Sequence, residues 1–519
     1  MIPEKQNDSK RSEVVPTSIP WSDIYQSIVD RKPLNIANAI IEVKTALRHG
    51  VVDSEFNFTN CVFRGQFAAH AVTFTKGISL IDCIFEDGCD LHGCTVRGPL
   101  LAEKVRFNKE LNFETIAITA QTQFIECIFE TRPNFALASF GSFTGLFETK
   151  FKDGVEFLGA TFGGHLLFDA VSVDSGDVNL TWSAIVGNLS IKKSAFAGPV
   201  ECKQLKAGSN LLITETKFDV GSTVGLSGAS IQTNLEIEKC TFSNTSDNCL
   251  YLGDVTISGA TYIFNSEVEG RAYFNRGDFH GVFGTNSTFK GKATFEGCHF
   301  HRAIRFLRGA LLRGAEFYFS EFEREANFGG VTISDSLSLR FARFENALMF
   351  ELKGDQAPDI TIFDDQGDNL VQIDLRGATY SRLILPGAFN DLKVFAKRIP
   401  PAEKNSFIYL EQYLRQSGQI DGANYIRYYR NSVEGSRLSK FTLSWWNNRL
   451  RKWLTLYGTI VWPLIVCAIA ISVFGLAIDY IPSFRPWVKL LQTISWTTAG
   501  LIVAFVIDVV RRNVWPSST

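Results

Sequence analysis

Between Phe289 and Phe350 the large apolar residues fall at Phe289, Phe295, Phe300, Phe306, Leu311, Phe317, Phe322, Phe328, Ile333, Leu339, Phe344 and Phe350. Their steps alternate six, five, six, five without exception. Two residues before most of them stands a second, smaller inward candidate, as in Ala293, Cys298, Ile304, Ala315, Ser320, Ala326, Val331, Leu337, Ala342 and Leu348. An amphipathic helix would place apolar residues three and four apart, and a long half-buried strand would alternate strictly. This pattern does neither. It puts two inward side chains on a short extended segment and then turns a corner. A chain repeating that unit coils into a β-solenoid, each short face stacking on the one a full turn earlier.

The same register runs back through Phe279, Phe274, Val268, Ile263 and Ile257 to Phe63 and Phe58. It stumbles near Gly141–Phe151, and the irregular steps before Leu180, Ile231, Leu252 and Phe289 predict corner insertions. From Phe58 to Phe350 this predicts roughly thirteen coils and, at about 4.8 Å per stacked strand, a rod on the order of 60 Å long. Residues 1–33 are expected to be disordered. In residues 34–50, the positions Ile36, Ile40, Val43 and Leu47 predict a short helix stopped at Gly50. Such a helix would cap the open end, where unpaired strand edges invite aggregation. Residues 51–395 are assigned to the solenoid, with an acidic exposed loop at 351–369. Ile373–Leu375 and Ala378–Tyr380 are read as a last partial coil.

Ala293-Thr294-Phe295, Ala315-Glu316-Phe317, Ala326-Asn327-Phe328 and Ala342-Arg343-Phe344 repeat the order small, polar, large apolar. On these residues the chain resembles the pentapeptide-repeat proteins, and specifically the degenerate branch with an eleven-residue double repeat joined to membrane segments. The resemblance implies an all-β right-handed quadrilateral β-helix, with four faces and about 22 residues per coil. It also implies the C-terminal transmembrane hairpin of that branch.

After Pro400-Pro401 the period becomes helical. Phe407, Leu410, Tyr413 and Leu414 mark one helix, Gly418 a break, and Ala423, Ile426 and Tyr429 a second helix. Residues 396–453 are read as a helical linker ending in a basic, aromatic interfacial stretch with Trp445, Trp446, Arg449, Arg451, Lys452 and Trp453. Rings beside cations are what the headgroup zone selects. Leu454 to Ile478 is uncharged and long enough to span a bilayer; Leu490 to Ile507 is a second such run. Residues 454–510 therefore predict a two-helix transmembrane hairpin. Arg511 and Arg512 open the tail at 511–519. Positive charge before the first span and after the second puts the solenoid and both termini in the cytoplasm, at a bacterial inner membrane.

Composition supports this division. Phe occurs 44 times against 2 Met, fitting an interior of stacked rings. The net charge of −2 conceals an asymmetry. Residues 51–400 carry 42 acidic and 32 basic side chains, net −10, whereas 401–519 carry 6 and 13, net +7. The basic tail suits a membrane surface. Cys61, Cys83, Cys89, Cys94, Cys127, Cys240 and Cys298 each precede an inward apolar residue by two. They are expected to act as compact apolar residues in a reducing compartment, without disulfides.

No phosphate-binding loop, nucleophile elbow, HExxH or CxxC pair is present, so no enzymatic activity and no cofactor are expected. Extending Phe279 and Phe300 by one residue and one coil gives His280, His301, Glu323 and Glu345, an outward column with metal-ligand chemistry. The structural alternative is an ordinary stacked polar row. Ala468, Ser472 and Gly475 on the first span, and Gln492, Ser495 and Thr498 on the second, suit helix packing or a pore lining. The expected function is a membrane-anchored scaffold whose rod engages a protein partner. The alternative is an effector whose oligomerised hairpins form a pore or disrupt the bilayer. Expected partners are membrane lipid, an unidentified protein and further copies of the chain. Nucleic-acid mimicry is not expected, because the rod is only mildly acidic and Arg302, Arg305, Arg308 and Arg313 cluster on it.

Overall fold

The computed structural model describes residues 17–48, 50–245, 248–328, 331–333, 335–349, 372–384, 389–399, 404–438, 442, 444–446, 448–449 and 500. The chain divides into two compact units, residues 1–371 with 378–385, and residues 372–377 with 386–519.

The first unit is a β-solenoid. One turn consists of the strands Phe56–Thr59, Val62–Arg64, Phe67–His70 and Thr73–Phe74, after which Ile78–Ile81 begins the next. Ile78 pairs in parallel with Phe56 on one side and Leu100 on the other, at equal offsets that define the regular turn. One face is a fifteen-stranded sheet, two faces are continuous as a sheet of 27 strands, and the fourth is built from sheets of four and ten. Four short strands per turn satisfy the backbone along the axis, because each strand donates to and accepts from the turns on either side.

Large residues at the six-and-five spacing fill the interior. Phe63, Phe85, Phe107, Phe129 and Phe151 stack with centroids 4.4, 5.0, 5.0 and 4.9 Å apart. All five are buried. The smaller slot two residues earlier holds the thiols and hydroxyls. Cys127 Sγ donates to the Ala102 carbonyl at 3.3 Å, and Thr149 Oγ1 donates to Phe124 at 3.1 Å, both one turn back. The nine described cysteines are free and buried. Burial pushes the thiols of Cys127, Cys202 and Cys298 up to about 12, so they persist as neutral thiols.

Two corners in most turns need a left-handed backbone. At one of them stand Asn38, Asn60, Asp82, Lys104, Glu126 and Glu148, one per turn and all in the positive-φ region. Such a conformation costs a non-glycine residue about 1–2 kcal/mol. Asparagine tolerates it best, and Asn60 Nδ2 donates to Asn38 Oδ1 at 2.7 Å, linking successive corners.

The N-terminus departs from expectation. Leu34–Ala37, Ala39–Glu42 and Leu47–Arg48 are strands, not a helix, and Leu34, Ala39, Ile41 and Leu47 are buried. Ile36, Ile41, Leu47, Val52 and Phe58 continue the five-and-six spacing. The register pairs Ile36 with Phe58 and Ile41 with Phe63. Parallel pairing to the next turn overrides the local helical pattern. The helix at this end is α1, Trp21–Val29, within the segment expected to be disordered. It buries Trp21, Ile24 and Ile28; the Trp21 ring meets Phe67 edge-on at 5.8 Å, and its Nε1–H donates to Thr45 at 3.0 Å. The fifteen-stranded sheet consequently begins at Thr17 rather than near Phe58.

The suspected break at Gly141–Phe151 is continuous. Leu146 pairs with Phe124 and is buried, whereas Phe143 and Phe147 lie on the outer side. Longer turns occur where Val155 pairs with Val178, Leu211 with Leu235, and Leu235 with Thr261, each offset exceeding the regular one. The step before Phe289 is instead a deletion. Val268 pairs with Phe289, a turn shorter than the regular one by a single position. Thr379–Ile384 pairs with Arg343–Met349, as the final partial coil requires.

The second unit contains α2 (Phe389–Arg398), α3 (Lys404–Gln416) and α4 (Ile420–Arg437). Helical structure thus starts before Pro400, within the range assigned to the solenoid, because Leu392, Phe395, Ala396 and Ile399 share one buried face at helical spacing. Gly418 at φ +78° ends α3 in the left-handed conformation expected of a helix stop. Phe407, Leu410, Leu414, Ala423 and Ile426 are buried. Glu411 is also buried. Arg427 Nε donates to it at 2.7 Å, Arg415 Nε at 3.3 Å, and Arg430 pairs with it at 3.1 Å. No helix among the described residues is long and apolar enough to cross a membrane. The hairpin expected at 454–510 and the acidic loop at 351–369 lie outside the described residues, apart from Gly500.

Candidate functional site

Phe279, Phe300, Phe322 and Phe344 form a buried column with centroids 5.6, 4.8 and 4.5 Å apart. A residue on either side of an inward side chain must point outward, so this column is flanked by two exposed rows. One row is His280, His301, Glu323 and Glu345. The other is Asp278, His299, Glu321 and Arg343, which pair with one another in register. The spacing rule that yields the first row, applied to the residue before each Phe, yields the second. Sequence reading missed Asp278 and His299 by following one flank only.

The two rows converge on His301. Its Nε2 lies 2.7 Å from Asp278 Oδ1 and its Nδ1 lies 3.0 Å from Glu323 Oε1. The same Glu323 oxygen is 3.0 Å from His299 Nε2, and the two imidazole centroids are 4.2 Å apart. One donor atom each from Asp278, His299 and His301 lie within 4.8 Å of one another. Burial pulls His301 toward the neutral form. The hydrogen bonds to Glu323 and Asp278 outweigh it, and its pKa stands above the ordinary 6.5. An imidazole with a carboxylate on each ring nitrogen is best served as the cation, which donates from both. The hydrogen bond from His301 in turn holds Glu323 below its ordinary 4.5.

The predicted quartet is therefore only half assembled. His301 and Glu323 meet. The His280 ring stands 6.2 Å from that of His301, and Glu345 pairs with Arg343 at 3.0 Å instead. No protein-family model matches this chain, and no curated protein or solved structure is similar to it. The chemistry therefore rests on this geometry alone.

Elsewhere, α1 borders an open cleft of about 800 Å³ lined by Trp21, Tyr25, Gln26, Glu42, Lys44 and Thr45 among others. Glu42 there pairs with Arg64 at 3.5 Å. Among the residues expected at a membrane interface, the Trp445 and Trp446 rings meet edge-on at 5.0 Å, and the Arg449 guanidinium lies over Trp445 at 5.2 Å. Trp446 is exposed. Arg451, Lys452, Trp453, Arg511 and Arg512 lie outside the described residues. So do Ala468, Ser472, Gly475, Gln492, Ser495 and Thr498.

Proposed function

We propose that this chain is a non-enzymatic interaction scaffold of the pentapeptide-repeat kind, tethered to a membrane by residues 454–510 with its rod in the cytoplasm. The observation that carries this reading is the solenoid interior. Stacked phenylalanines and small residues fill it, leaving outward rows of side chains as the surface a partner can meet. Repeated units stacked on one axis offer a long, regular face, which suits recognition of another protein better than enclosure of a substrate. The membrane part rests on the uncharged runs Leu454–Ile478 and Leu490–Ile507, the cations flanking them, the exposed Trp446 and the Arg449 guanidinium over Trp445.

Alkaline extraction of membranes from cells expressing the full chain tests the tether. The protein should stay in the membrane pellet, and a chain ending at Pro400 should be released; full-length protein in the soluble fraction would refute the anchor. Affinity purification in detergent, with the rod as bait, should return a stoichiometric partner. Membrane depolarisation that requires residues 454–510 would replace the scaffold with a pore.

A further inference from the structure

We infer that Asp278, His299, His301 and Glu323 form a binding site for a divalent transition-metal ion of the zinc, nickel or copper class. This site is independent of the membrane and scaffold readings. Three consecutive turns contribute to it: Asp278 from the first, the two histidines from the second, and Glu323 from the third. His299 and His301 straddle buried Phe300 and project side by side because both neighbours of an inward residue must face out. Around a tetrahedral ion with ligand bonds of about 2.0–2.2 Å, donor atoms stand roughly 3.3 Å apart. The donors here already lie within 4.8 Å, and Glu323 sits 3.0 Å from a nitrogen of each histidine. Side-chain movements of about an ångström would close the shell.

The support for those side chains is rigid, since each strand is hydrogen-bonded to the turns above and below and pinned by the Phe279–Phe300–Phe322 stack. A pair of imidazoles with carboxylates favours zinc, nickel or copper over magnesium or calcium, which prefer all-oxygen shells. The side chains are 35–50% exposed, leaving room for water or a partner's group in the remaining positions. One carboxylate can also serve from outside the shell. With Asp278 accepting from Nε2–H of His301, a metal ion would take the place of the proton that Nδ1 shares with Glu323, and the outer carboxylate would orient the ligating ring.

The test uses the purified full chain in detergent, stripped with a chelator and titrated with zinc at neutral pH by calorimetry. One ion should bind per chain. His299→Ala and His301→Ala should each weaken binding at least tenfold, and the double variant should abolish it. Glu345→Gln and His70→Asn should stay within twofold of the parent. Cobalt substitution gives a second readout, as a tetrahedral visible spectrum that the double variant lacks. Unchanged far-UV circular dichroism would show that the variants remain folded. Absence of zinc binding, or binding that survives the double histidine variant, would overturn the site.

Discussion

In the solenoid the buried thiol of Cys127 and hydroxyl of Thr149 are satisfied by a carbonyl of the turn before, whereas in the α3–α4 pair buried Glu411 is satisfied by a dedicated set of partners. Cys127 and Thr149 occupy the same slot on successive turns and bond the same kind of carbonyl. Ser183 and Ser287 do likewise, at 2.7 and 2.9 Å. Glu411 has no such repeating acceptor or donor and draws on Arg415, Arg427 and Arg430 together. The difference teaches where each unit is vulnerable. Translational repetition spreads a role over many turns, while the helical unit concentrates it in one carboxylate.

The sharpest way to break the comparison is Phe107→Ala. Removing a buried ring that stacks on Phe85 and Phe129 should cost about 3–5 kcal/mol. Because turns couple to their neighbours, hydrogen exchange should quicken in the adjacent coils and remain slow near Phe317. Uniform loss of protection would show that the stack is not the local support described here. Next in size, Glu411→Gln should destabilise the helical unit by about 3 kcal/mol, since it strands three guanidinium groups around a neutral amide. Denaturant unfolding followed by circular dichroism measures it. A change below the error of the melt would mean that water already screens the cluster.

A smaller effect concerns pH in chelator-treated protein. The raised pKa of His301 adds stability that is complete below its ordinary 6.5 and fades as pH rises through the folded value. The depressed pKa of Glu323 adds stability above its ordinary 4.5 that fades as pH falls through the folded value. Both contributions coexist between these two ordinary values. His301→Gln should lower the melting temperature within that window and remove the decline as pH rises above 6.5, and an unaltered profile would argue against the ionic pairing. The smallest effect should come from Lys104→Asn. It places a residue tolerant of positive φ at a left-handed corner and should raise stability by about 0.5–1 kcal/mol. A loss of stability would indicate that the Lys104 side chain, which pairs with Glu126 at 3.9 Å, matters more than its backbone.

Much of the solenoid was legible because its signal is one-dimensional. Each inward Phe repeats at a fixed offset, and a period survives without knowledge of what packs where. Residues 34–50 show the limit. Ile36 and Leu47 satisfy both a helical stripe and the five-and-six spacing, and only pairing with the next turn, Ile36 to Phe58 and Leu47 to Ala69, decides between them. The candidate site was half legible for a similar reason. His301 and Glu323 follow from counting one turn along a single row, but the link to Asp278 and His299 runs diagonally between rows.

Periodicity along the chain determined the solenoid, its Phe interior, the small-residue slot for cysteine and the helices α3 and α4, though not α2 before them. These follow from side-chain size and spacing, which are local properties. Tertiary structure alone decided the cap at Trp21–Val29, the deletion before Phe289, the Arg343–Glu345 pair and the convergence on His301. Apart from the Arg343–Glu345 pair, which lies along one strand, each depends on which residues from different turns come within a few ångströms, and a corner one residue shorter or longer changes that outcome without altering the repeat.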